Sequence, residues 1–362
     1  MSDAEKLVEK LVEKLDAVRL GVIGCGRIAQ VAHFPALDKA DGIEVVVVCD
    51  QSEQVARAVA ARYGIGAYVT EAAEVLENPQ VEAVLIAVPD RFHRELAEAA
   101  LRAGKHVLVE KPLASTVEEA RQLVGVQAET GLTLQVGSMK RHDPGLSFAC
   151  DFVAAGRLGE VRSFHAWYRI GTIRPGVEAT LFPRTFADER VRQVEAGFKA
   201  DRARYLLATH GAHIFDTIRY LLGDDDIRSV TVAHRDFGRD QTWNILVTLV
   251  SGAIGTIGIV VDVPGDGAEG IEVFGSEGQL RVDTHFPFFR RASDVWAFNA
   301  KEGSATVPVF ADTDPYERQA EAFARAVRGA VVAKPDARDG LAAVRLIAAV
   351  GESAATGAEV RL

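Results

Sequence analysis

A chain of 362 residues with 48% hydrophobic and 25% charged side chains is long enough for about two domains, each with its own core. Its net charge of -10 argues against nucleic acid as a partner, because neutralising phosphates needs a basic face. Cys25, Cys49 and Cys150 show no paired spacing and carry no disulfide, metal or nucleophile assignment. With no apolar run of membrane-spanning length and no signal-peptide core, the expected location is the cytoplasm.

Residues 1–18 form the first segment. Ser2 to Ala17 repeats K-L-V-E, with Leu7, Leu11 and Leu15 four apart and Val8 and Val12 beside them, which predicts an amphipathic helical extension. An oligomer contact and an extension without chemical role are both readings of it. Arg19 to Gln30 follows as R-L-G-V-I-G-C-G-R-I-A-Q, where a short apolar strand breaks into Gly24, Gly26 and Ala29, the pattern G-x-G-x-x-A. Gly24 permits a tight turn, Gly26 lets a pyrophosphate lie against the backbone, and Ala29 allows close helix packing. The N–H groups at the helix start, from Arg27 and Ile28, face the phosphates. A second apolar run, Ile43 to Cys49, ends at Asp50, a carboxylate suited to both ribose hydroxyls and repulsive to a 2′-phosphate. NAD is therefore expected over NADP. From there to Ser138, strands and helical patterns alternate, as a doubly wound parallel sheet requires, giving a Rossmann domain over 19–138.

Two motifs in that domain are specific. V-P-D-R-F-H at Val88 to His93 and A-G-K-H-V-L-V-E-K-P-L-A at Ala103 to Ala114 resemble the glucose-fructose oxidoreductase and inositol dehydrogenase family (Gfo/Idh/MocA). D-G-L-A-A-V-R-L-I at Asp339 to Ile347 and S-A-A-T-G-A-E-V-R-L at Ser353 to Leu362 resemble its C-terminus. The resemblance implies that 139–362 is an α+β domain with a large, open, mostly antiparallel sheet that binds substrate and supports a homodimer or homotetramer. Val161–Ile170, Ile227–Phe237, Thr242–Val250, Ala253–Val261, Gly270–Phe274 and Gln279–Val282 read as its strands, and Tyr316–Arg328 and Gly340–Gly351 as helices.

The resemblance also implies site residues. Oxidising an alcohol needs hydride departure and a base for the hydroxyl proton. Lys111 of E-K-P is the base, set beside the nicotinamide; the plainer reading is a surface lysine paired with Glu110. Glu110 orients a ribose or the lysine, Pro112 fixes a turn, and Pro89 and His93 of the preceding motif also contact cofactor. In T-H-G-A-H-I-F-D at Thr209 to Asp216, His213 matches the family histidine that faces substrate, but Thr209 stands where the family has aspartate. A threonine can hydrogen-bond a sugar hydroxyl yet cannot accept a proton at neutral pH. His210 is a further candidate polar contact, Asp216 a structural helix partner. His210, His213 and Asp216 could share a helical face, but the family uses no metal and none is assigned. G-S-M-K-R-H-D-P at Gly137 to Pro144 places Met139 and Lys140 near substrate, with Arg141 structural. The stretch from Ile170 to Thr209 carries Arg174, Arg184, Arg190, Arg192, Lys199, Arg202 and Arg204 among Glu178, Asp188, Glu189, Glu195 and Asp201, and reads as a solvated mixed-charge surface. The expectation is an NAD-dependent dehydrogenase acting on a secondary hydroxyl of a sugar, sugar derivative or inositol. The alternatives are a glycoside-processing enzyme with transient redox and no net NADH, and a sugar or dinucleotide sensor.

Overall fold

Apolar runs bounded by glycine and proline make the strands of the first unit, and their burial on both faces is what a parallel sheet demands. The computed structural model describes residues 17–171, 184–223, 226–265, 267–285 and 287–362. The helix expected before Ala17, and Arg174 and Glu178 of the arginine-rich stretch, lie outside the described residues. The chain divides into two units. The first comprises the described parts of Met1–Gly137 and Phe182–Phe198, with Tyr316–Leu341. It holds six strands: β1 (Val18–Ile23), β2 (Ile43–Cys49), β3 (Tyr68–Val69), β4 (Ala83–Ile86), β5 (His106–Glu110) and β6 (Leu134–Gly137). All pair in parallel in the order β3-β2-β1-β4-β5-β6. The order reverses direction at β1 and β4, the switch point at whose carboxyl ends ligands bind in doubly wound sheets. Leu20, Val22, Leu85 and Leu108 are buried with Phe34 and Phe323 in its core. The Val117–Thr130 helix begins where Thr116 and Glu119 form a reciprocal cap.

The second unit contains a nine-stranded sheet in the order β14-β13-β12-β11-β7-β10-β9-β8-β15. Its strands are β7 (Val161–Gly171), β8 (Ile227–Asp236), β9 (Gln241–Leu249), β10 (Ile254–Val263), β11 (Ala268–Gly275), β12 (Gly278–Thr284), β13 (Asp294–Asn299), β14 (Ser304–Thr306) and β15 (Val360–Arg361). Only β7 and β10 pair in parallel; the other neighbours are antiparallel. Alternation sorts the faces. Phe164, Ala166 and Tyr168 of β7, Ile257 and Ile259 of β10 and Ile271 and Val273 of β11 point inward with Ile214, Phe215 and Ile218 of the Ala212–Leu222 helix. The opposite face runs Leu246, Thr256, His165, Glu272, Arg281 and Trp296 across consecutive strands. Both expected sheets are present. Elements beyond the expectation include β13, β14, β15 and the Pro144–Ala154 helix, which Asp143 caps at Leu146 N–H. Among the described residues no helix is long and apolar enough to cross a membrane.

Candidate active site

In the first unit the glycine turn sits at the tip of β1. Gly24 has φ of +98°, and a Cβ there would lie 2.5 Å from the Ala87 carbonyl oxygen, so both backbone shape and space demand glycine. Gly26 differs: a Cβ would meet no atom within 4 Å. Its want of a side chain leaves open room beside the backbone, as a pyrophosphate cradle requires. The chain turns helical at Arg27 and passes through a π turn, Ala29–His33, a distortion frequent at functional sites. Asp50, at the tip of β2, accepts Cys25 N–H on Oδ2 and Ser52 N–H on Oδ1, each at 2.9 Å. Each oxygen keeps a lone pair for a ribose hydroxyl. Burial and the adjacent Asp50 charge push the Cys25 thiol far up and that of Cys49 up to about 12, so both are inert apolar filling.

At the tip of β5, Glu110 is buried and receives His33 Nε2 at 2.7 Å, while its other oxygen accepts the Lys111 N–H at 3.1 Å. Burial alone would raise this carboxyl. The hydrogen bond from His33, with the charges of His33, Lys111 and His93, outweighs burial and holds it below the usual carboxylate range. The His33 ring meets Tyr316 edge-on at 5.2 Å. His93 is buried, with Nδ1 2.7 Å from the Pro112 carbonyl and Nε2 2.9 Å from that of Val88. It thereby ties the β4 tip, where Pro89 stands, to the cis Lys111–Pro112 peptide. Gly24, Gly26, Arg27, Ile28, Asp50, Pro89, His93, Glu110 and Lys111 thus all lie on carboxyl-terminal strand tips or the turns leaving them.

The second unit gathers a different set around Tyr168, which is 5% exposed. Its ring stacks on His213 at 6.1 Å, its hydroxyl lies 3.4 Å from His210 Nδ1, and Lys140 Nζ stands 5.0 Å from its centroid. Lys140 pairs with Glu269, which sits opposite Tyr168 in the β11–β7 register. Met139 is buried beside Lys140 in the chain. Thr209 and His210 lie on a second π turn, Leu207–Gly211, that leads into the Ala212–Leu222 helix. A Cβ at Gly211 would come within 2.8 Å of the Phe215 ring, so this turn packs against its own helix. Asp216 points elsewhere: it takes three hydrogen bonds from Arg141, at 2.7 to 3.1 Å, inside the unit's core. Among the described residues no group of three His, Cys, Asp or Glu is placed to hold a metal ion.

Two residues of this cluster, Tyr168 and Glu269, escaped the sequence reading. Their signal was faint: Tyr168 lies within, and Glu269 at the end of, inward-facing alternations whose neighbouring members are apolar or glycine. Part of the arginine-rich stretch is also more ordered than a plain surface loop. Glu189–Phe198 is a helix with no buried side chain, and it belongs to the first unit.

Comparison with known proteins identifies the family of the chain. The family description "Oxidoreductase family, NAD-binding Rossmann fold" matches residues 18–138, and "GFO/IDH/MocA C-terminal domain" matches residues 148–281. The chain is 31% identical over 348 residues to the 1,5-anhydro-D-fructose reductase of Ensifer adhaerens, covering 94% of this chain and 97% of that one. It is 27% identical to the inositol 2-dehydrogenase of Rhizobium meliloti, over 95% and 99% of the two chains. A levoglucosan dehydrogenase solved with NADH and levoglucosan shares the fold, with a TM-score of 0.78 at 20% identity over 95% and 99% of the two chains. With both halves matched in order and their strand-tip motifs in place, the chain belongs to the Gfo/Idh/MocA family of oxidoreductases.

Proposed function

We propose that this protein is a cytoplasmic NAD-dependent dehydrogenase that oxidises a secondary hydroxyl of a sugar, sugar derivative or inositol. The observation that carries the reading is Lys111 at the tip of β5, next to a carboxylate that His33 keeps ionised, in a sheet whose β1 tip offers open room at Gly26. Gly24, Gly26 and the N–H groups of Arg27 and Ile28 would hold the pyrophosphate, Asp50 the adenosine ribose, and Pro89, His93 and Glu110 the nicotinamide end. A bound nicotinamide would supply a hydride acceptor. Lys111 takes the proton of the hydroxyl being oxidised, and Glu110, which accepts its backbone N–H, fixes the lysine's position. His213, held flat against Tyr168, binds that hydroxyl or relays its proton, while Thr209, His210, Met139 and Lys140 bind the rest of the polyol. The relatives named for anhydrofructose and inositol support a polyhydroxylated ring as substrate. The exposed row Leu246, Thr256, His165, Trp296, together with Ile254, supports association through the nine-stranded sheet as a homodimer or homotetramer.

The test is NADH formation across inositols, aldoses, uronates and glycosides with wild type and Lys111→Ala, with NADP in parallel. The expected result is NADH that requires Lys111, with kcat falling about 10²- to 10⁴-fold in the variant while NAD binding persists. NAD binding without net NADH from any compound would move the reading to transient redox on a glycoside, or to a sensor.

A further inference from the structure

Asp50 is not the only carboxylate at the ribose end of the dinucleotide site. Ser52 opens the Glu53–Tyr63 helix, yet its hydroxyl makes no capping bond to that helix. It donates instead to Asp188 Oδ2 at 3.0 Å, across 136 residues of chain. The backbone N–H of the same Ser52 donates to Asp50 Oδ1 at 2.9 Å, so one residue joins the two carboxylates. Asp188 is fixed: its Oδ1 accepts Arg190 N–H at 2.9 Å, and its side chain is 15% exposed. The segment carrying it is clamped to the glycine-turn helix. Buried Gln30 donates to the Phe186 carbonyl at 2.8 Å and accepts the Phe186 N–H at 2.7 Å. The Arg62 guanidinium lies 4.1 Å from the Phe186 ring centroid and donates to the Arg184 carbonyl at 2.8 Å.

Dinucleotide sites of this fold meet the ribose 2′ position with the acidic residue at the β2 tip, and a 2′-phosphate needs donors or cations from the residues just after it. Here those residues are Gln51, which carries no charge, and Ser52, whose single hydroxyl proton is committed to a carboxylate. The Ser52 hydrogen bond, more than any other influence, holds Asp188 below the usual carboxylate range, so the charge persists at neutral pH. The nearest cation, Arg190, reaches 3.7 Å from Asp188 but is 92% exposed, where solvent screens it.

Resting on the NAD reading above, we propose that Asp188 is a second cofactor-specificity residue, which rejects a 2′-phosphate by charge and by withholding the Ser52 hydroxyl. The experiment is equilibrium binding of NAD and NADP to the full chain for wild type, Asp188→Asn, Ser52→Ala and Arg190→Ala. Removing one charge a few ångströms from a phosphate should tighten NADP about tenfold in Asp188→Asn while NAD changes less than about threefold. Ser52→Ala removes the hydroxyl and leaves the Asp188 charge in place, so it should not tighten NADP, and Arg190→Ala should leave the ratio unchanged. If wild type prefers NAD and Asp188→Asn leaves the ratio as it was, or weakens both dinucleotides alike, Asp188 only docks its helix and the proposal is overturned while the NAD reading stands. If wild type binds NADP at least as tightly as NAD and Arg190→Ala removes that binding, the NAD reading fails and the proposal with it.

Discussion

Replacing His33 by leucine should destabilise the first unit, and by an amount that depends on pH in a direction the structure fixes. His33 and Glu110 meet at 2.7 Å with side chains 3% and 7% exposed. Leucine fills similar space but leaves the carboxylate buried with one fewer hydrogen bond, a loss worth about 3–5 kcal/mol for a buried pair broken on one side. In the wild type the folded carboxyl titrates below its ordinary value. Its contribution is therefore fully present above the unfolded value and disappears as pH falls through the folded one. In the variant, burial is opposed by the charges of Lys111 and His93 and by the Lys111 N–H but no longer by His33, so the folded carboxyl should titrate higher than in the wild type. A group raised in this way recovers stability against the wild type as pH falls, by taking up a proton in the folded state. The gap between the two proteins should then be widest near about pH 8 and shrink by roughly 1–2 kcal/mol towards about pH 5. Urea unfolding followed by circular dichroism at both pH values measures it. Glu110→Gln added to His33→Leu should restore part of the loss, because the uncompensated charge is gone. A gap below about 1 kcal/mol, or one that is flat in pH, would show that the pair does not hold Glu110 in the way described.

Three further outcomes follow from the geometry. Gly24→Ala should cost about 1–2 kcal/mol from the positive φ alone, and more from its overlap with Ala87. Gly26→Ala should leave the melting temperature unchanged and weaken NAD binding by at least about tenfold, since its Cβ fills only the phosphate cradle; equal effects of the two substitutions on stability would contradict this division. Glu269→Gln should destabilise the second unit by about 3 kcal/mol, because the buried Lys140 ammonium would face a neutral amide and the Tyr168 ring in place of a carboxylate. Substrate KM should rise with it, and an unchanged KM would remove Lys140 from the binding set. Finally, Cys25 and Cys49 should resist a disulfide reagent in the native protein at about pH 8 and react on unfolding, the thiolate being suppressed by burial and Asp50; rapid native labelling would refute the burial argument.

The first unit was legible in the sequence because its constraints are local. Buried parallel strands are continuous apolar runs, and Gly24, Asp50 and Lys111 sit where such runs end, so motif and strand tip coincide. What remained hidden there was long-range. Nothing near Gln30 announces that its amide clamps Phe186, nor near Ser52 that its hydroxyl serves Asp188 instead of its own helix. In the second unit the strands show as alternation, but β13 and β14 were passed over: β13 carries Trp296 and Phe298 at outward positions, which blurs its alternation, and all three residues of β14 are exposed.

The Tyr168 cluster shows the same limit from the other side. His213 and Lys140 stood out because they fall at positions where the family resemblance places a histidine and a basic residue near substrate. Tyr168 did not, since an aromatic residue in a strand is ordinary core until its ring is found facing His213, His210 and Lys140 together. Glu269 could be reached only through register, by counting it opposite Tyr168 across β11 and β7. That count alters the meaning of Thr209. The aspartate expected there is absent, but the unit retains a carboxylate beside the same tyrosine, bound to Lys140 and supplied by the sheet rather than by the π turn. A threonine at 209 therefore removes a proton acceptor from the turn without leaving the Tyr168 cluster devoid of negative charge. Lys140 is held by Glu269 in the second unit, just as Lys111 follows a carboxylate, Glu110, in the first.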